Sequence, residues 1–175
     1  MIISKPLRHL LLALLPLPAL AAPPQVYHAP IDRAAWHSDS DGAACHLSHE
    51  VPLFGTITFS RDGHGRSLAT VVPARMPQPE VRTVLSARGT AWQPAPEREL
   101  ADVYIYPFGS LLRYDGAYVD ALLAELEQGR SAVLRFERGF GDPVELVLTP
   151  VGFRAALRAH LQCAAGVATA VLDEL

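Results

Sequence analysis

The first 21 residues set the conditions under which the rest of the chain must fold. Lys5, Arg8 and His9 make a basic start, Leu10 to Leu20 is an apolar run, and Ala19-Leu20-Ala21 is an A-x-A cleavage site. That is the pattern of a secretory signal peptide over residues 1–21. The run is interrupted by Pro16 and Pro18 and falls short of the ~20 apolar residues that span a bilayer, so an uncleaved anchor is the weaker reading. No cysteine stands at the cleavage point to carry a lipid. The mature chain is expected in the periplasm, with no stable membrane insertion after cleavage.

An oxidising compartment changes how the two cysteines read. Cys45 and Cys163 lie near opposite ends of the remaining chain and are expected to pair. Closing so long a loop is worth about 4 to 5 kcal/mol in the chain-entropy picture, an upper figure. Two separate buried thiols remain the alternative. With 50% hydrophobic and 19% charged residues, the chain can build a globular core, and its length suits one domain. The expected division is a leader over 1–21, an extended lead-in over 22–44 pinned by Tyr27, Ile31 and Trp36, and a single domain over 45–175. Without the leader there remain 13 Arg, no Lys and 18 acidic residues. This acidic balance argues against nucleic-acid binding and against a polybasic membrane surface.

Period-2 alternation and β-branched residues predict strands at 54–60, 67–72, 81–86, 101–106, 131–137 and 144–148, the first two joined as a hairpin through 61–66. Val119, Leu122, Leu123 and Leu126 follow helical spacing over 118–128, with Asp120, Glu125 and Glu127 on the solvated face and Gly129 as the stop. Thr149-Pro150 starts a second helix reaching about Ala165, with Phe153, Leu157, Leu161 and Ala164 inward. Six or seven short, mostly hairpin-linked strands with two helices give a β-rich α+β class, a mostly antiparallel bent sheet or partial β-barrel.

Catalytic and metal patterns are weak. Cys45, His46, His49 and Cys163 have the atoms of a zinc site, but adjacent side chains diverge and both thiols would have to be reduced. Ser48-His49-Glu50 has the letters of a hydrolase triad, yet three consecutive residues cannot chain hydrogen bonds. Asp32, Asp62, Asp102 and Asp142 are scattered acids, and no nucleophile elbow is present. Gly63-His64-Gly65 bridges two strands and reads as a turn rather than a phosphate loop. An enzyme would need a pocket joining His46 or His49 to an acid at hydrogen-bond distance. The histidines default to surface or capping roles. No catalytic residue, metal or cofactor is assigned. Arg130, Arg135 and Arg138 around a helix end, with Arg154 and Arg158 on the last helix, form a candidate protein interface, since Arg suits bidentate pairing there. Ordinary solvated charge is the competing reading.

Several segments together resemble a known family. Tyr27-x-x-Pro30 and Trp36 lead into Cys45-His46-Leu47-Ser48-His49-Glu50-Val51-Pro52-x-Phe54-Gly55 and Thr58-Phe59-Ser60. Arg82, Trp92-x-Pro94, Leu123-x-x-Leu126-Glu127-Gln128-Gly129-Arg130 and a cysteine near the end of the final helix follow. This pattern, over about residues 26 to 165, is similar to the N-terminal domain of the MotY family, exported components of the sodium-driven polar flagellar motor. The resemblance implies a non-enzymatic structural protein. Its partners would be a MotX-like ring protein, the basal-body ring and the stator, and Cys45 and Cys163 would map onto the family's disulfide. The family's OmpA-like peptidoglycan-binding half has no counterpart before Leu175, so the chain is expected to be a naturally short or fragmentary reading frame, and anchoring to the wall by this chain itself is not assumed. A periplasmic module binding peptidoglycan or lipid is the alternative.

Overall fold

A computed structural model describes residues 23–62, 64, 67–73, 81–108, 111–137 and 142–173. The leader and Arg138 lie outside the described residues, as does most of the turn at 63–66. In chain order the elements are β1 (Gln25–His28), β2 (Trp36–Ser40), β3 (Ala44–Val51), β4 (Gly55–Asp62), β5 (Ser67–Pro73), β6 (Val81–Arg88), β7 (Arg98–Ile105), β8 (Leu112–Asp115), α1 (Gly116–Glu127), β9 (Ser131–Glu137), β10 (Val144–Leu148) and α2 (Phe153–Asp173). One sheet runs β1-β10-β9-β6-β7 and the other β2-β3-β4-β5-β8. Pairing is antiparallel except for β1, which lies parallel to β10. The class is β-rich α+β. Among the described residues neither sheet closes into a barrel.

Alternation builds one face of each strand into a shared core. In β3 the buried positions are Cys45, Leu47, His49 and Val51; in β4 they are Ile57 and Phe59, as period-2 side-chain geometry requires. Leu85, Leu134, Phe136, Leu146 and Leu148 come from the other sheet, Val119, Leu122 and Leu126 from α1, and Phe153 and Leu157 from α2. Thr83 Oγ1 and Tyr114 Oη meet at 3.2 Å between the two sheets. Burial raises the Tyr114 hydroxyl well above its ordinary range. The stretch read as lead-in supplies β1 and β2, one strand to each sheet. Trp36 is buried and Tyr27 packs on the core, but Ile31 is 60% exposed and anchors nothing.

The helices depart from expectation in instructive ways. Gly129, at φ 84°, ends α1. Its N–H bonds the Leu126 carbonyl at 3.1 Å and the Arg130 N–H bonds the Glu125 carbonyl at 3.0 Å, a Schellman closure. Glu125 is not on a solvated face; it is 4% exposed, because two arginines satisfy its carboxylate. Thr149 Oγ1 accepts from the Val151 N–H at 3.3 Å, and a turn through Pro150 precedes the helix, which therefore starts at Phe153. The inner line of α2 is Phe153, Leu157, His160 and Ala164. His160 takes the place expected of Leu161, which is left 44% exposed.

Candidate docking surface

The β2–β3 hairpin and α2 are fastened to each other at two points. Cys45 of β3 and Cys163 of α2 form a disulfide, with Cα atoms 6.0 Å apart. At the start of α2, ten residues before the mid-helix Cys163, Trp36 stacks on His49 with ring centroids 4.5 Å apart and meets the edge of Phe153 at 4.9 Å. His49 Nδ1 donates to the Ala35 carbonyl at 2.8 Å, and desolvation pushes its pKa below the usual imidazole value. His160 is also buried, with its pKa lowered by the same cause. Both are core histidines rather than surface or capping groups. With the thiols consumed, and His46 and His49 on opposite faces of β3, the zinc arrangement does not form. Among the described residues no group of three or more His, Cys, Asp or Glu is placed to hold a metal ion.

His46 does meet an acid. Its Nε2 lies 3.2 Å from Asp41 Oδ2 and its Nδ1 2.9 Å from Ser60 Oγ. Ser60 and His46 line a cavity of about 820 Å³ together with Asp62, Asp115 and Asp120. The geometry and the charges oppose acyl transfer there. Ser60 is the cross-strand neighbour of His46. Asp41 caps the β2–β3 turn, accepting the Ala43 and Ala44 N–H groups at 3.0 and 2.8 Å. Those bonds, Ala44 first, hold its carboxyl below the usual range. Arg113 also lines the cavity, but the three further aspartates outnumber it, so the net charge there would oppose the oxyanion that such chemistry must stabilise.

The arginines split into two groups. Arg130 pairs with the buried Glu125, which also takes Arg98, and Arg135 pairs at 2.6 Å with Glu145, itself 3% exposed and shared with Arg88. These guanidinium groups neutralise the protein's own carboxylates. Arg154 and Arg158 behave differently. Arg154 Nε donates to the Glu127 carbonyl at 2.8 Å, and neither arginine forms an ion pair among the described residues. Both line a groove of about 560 Å³ that also takes in Trp92, Gln128 and Gly129. Trp92, absent from the candidates drawn from sequence, is 54% exposed. Its one signal was a tryptophan set in a Pro-punctuated turn.

The fold and this surface define a disulfide-braced, β-rich α+β domain that sets two adjacent free cations beside an exposed indole. Residues 27–168 match the family model for the MotY N-terminal domain, and the chain belongs to that family. It is a structural domain of the flagellar motor and not a known enzyme family. A search of curated proteins finds no match to the chain. No described helix is long and apolar enough to cross a membrane.

Proposed function

We propose that the chain is a periplasmic structural component of the flagellar motor. It docks on the basal-body ring beside a MotX-like partner and supports assembly of the stator. The family match over residues 27–168 carries this reading. The signal-peptide pattern supports the compartment, and a bond between Cys45 and Cys163 suits a piece whose surface must be preformed, since ordering it beforehand lowers the entropic cost of binding.

Gene disruption in a flagellated host tests the reading. Swimming is expected to fail while filaments still assemble, and the full chain is expected to restore it. The same protein should co-purify with basal bodies. Normal swimming in the disrupted strain would remove the motor role. Sedimentation with purified peptidoglycan sacculi, without basal-body association, would favour an envelope-binding module instead.

A further inference from the structure

We infer that the groove between the Trp92 turn and the outer side of α2 is the docking site for an acidic, partly apolar segment of a protein partner. The inference rests on the docking reading above and gives it a place and a partner chemistry.

Charge complementarity points to the occupant. The chain is acidic, with a formal net charge of −3, and most described arginines are matched internally by Asp or Glu. Arg154 and Arg158 are not. They stand four residues apart on one helix, so their side chains are neighbours. Glu127 is the only acid among the described residues lining the groove and its continuation over Leu157 and Leu161. Arg33 and Arg113 also lack an ion pair among the described residues, but only Arg154 and Arg158 stand together in one groove. Two adjacent unmatched guanidinium groups in an acidic protein select carboxylates, and their planar forks suit bidentate contacts.

An apolar component is equally built in. Leu161 is 44% and Trp92 54% exposed on either side of the arginines. Trp and Arg are the side chains most often found to dominate binding energy. The backbone that carries the indole is also held in place. Thr90 and Gln93 exchange backbone hydrogen bonds of 3.0 and 3.2 Å, and the Gly89 N–H reaches the Ala95 carbonyl at 3.1 Å. The turn that carries Trp92 is thus closed twice before any partner arrives.

The test uses the full chain in a flagellated host, with photoreactive p-benzoylphenylalanine in place of Trp92 or, as control, in place of exposed Ile31. The position-92 probe is expected to cross-link a partner peptide containing at least two Asp or Glu. Yield should fall at least tenfold in Arg154→Glu/Arg158→Glu, stay unchanged in Arg33→Glu, and recover when the partner's acids are changed to Lys. Thermal melts and non-reducing gels establish that each variant folds, and Arg154→Gln/Arg158→Gln serves if the reversal does not. A yield indifferent to Arg154 and Arg158, an adduct peptide without acids, or no position-92 adduct would overturn the inference. So would pelleting with purified sacculi that depends on the two arginines, which would make the occupant peptidoglycan. If gene disruption leaves swimming intact, the motor role falls separately, and the identity and charge dependence of the adduct still decide the groove.

Discussion

Trp36 Nε1 donates a 2.9 Å hydrogen bond to the carbonyl oxygen of Thr149, 113 residues further along the chain. The bond joins the edge strand β2 of one sheet to the residue that follows β10 of the other, where α2 is about to start. Removing the donor while keeping an aromatic ring isolates its contribution. Trp36→Phe leaves a buried carbonyl without its partner and should cost about 1–3 kcal/mol. Trp36→Ala also removes the contacts with His49, Phe59 and Phe153, and should cost about 3–5 kcal/mol. Urea midpoints of the two variants check the order.

That contact also shows what a sequence can and cannot disclose. The strands at 131–137 and 144–148 were legible to the residue, since unbroken apolar and β-branched runs bounded by turn residues leave little choice. The strand Trp36–Ser40 was not, because four of its five residues are polar and its extension is imposed by pairing with β3. β3 itself was hidden by His49, a polar letter at a buried position of the alternation. Glu125 read as solvated because the arginine that helps satisfy it, Arg98, lies 27 residues earlier. Arg154 and Arg158 were visible as candidates, but the groove needs Trp92 from a separate loop, and no spacing rule joins them.

The disulfide offers a cleaner cycle. Cys45→Ala and Cys163→Ala each break the same cross-link and should each lose about 2–5 kcal/mol. The double variant should lose no more than either single, because the second substitution removes nothing further. Additive losses in thermal melts would mean that each residue contributes mainly through its own packing.

Glu125 sits between Arg98 and Arg130, and the hydrogen bond from Arg130 is the chief reason its carboxyl titrates below the usual range. A carboxylate whose folded-state pKa is depressed adds stability at pH values above the ordinary glutamate range. That contribution is lost as the pH falls through the lowered folded-state value. Glu125→Gln should therefore flatten this part of the acid limb of stability, at a cost of about 1–3 kcal/mol at neutral pH. The paired change Arg98→Ala/Arg130→Ala should cost more, about 3–5 kcal/mol, because it leaves a buried charge uncompensated. Denaturant melts from neutral pH downward distinguish the two.

His49 runs in the same direction for a different reason. Desolvation lowers its pKa, so the folded state holds the neutral ring while the unfolded chain takes up a proton near the ordinary imidazole value of 6.5. Stability should be full above that value. It should decline as the pH drops below it, and stop declining once the folded-state pKa is passed. His49→Gln should remove its share of that decline, leaving a smaller one from His160, whose pKa is lowered for the same cause. Melting temperatures between pH 8 and pH 5 supply the comparison; parallel curves would place the titration elsewhere.

The rigidity of the Trp92 turn can be read directly. A Cβ on Gly89 would lie 2.0 Å from the Ala95 nitrogen and 2.6 Å from the Gln93 oxygen, both backbone atoms. Gly89→Ala must therefore open the turn rather than shift a side chain, at about 1–3 kcal/mol. The chain has 2 tryptophans, so in a Trp36→Phe background the emission comes from Trp92 alone. Gly89→Ala should lower its fluorescence anisotropy, because the reciprocal Thr90–Gln93 bonds that close the turn carrying the indole would be broken. Gly166→Ala is the matched control: nothing lies within 4 Å of its added methyl. Within α2 that change should leave Trp92 unaffected and raise stability by about 0.5–1 kcal/mol. Unchanged anisotropy in Gly89→Ala would mean that the indole is not held by its turn, and that a partner meeting it would have to supply the ordering itself.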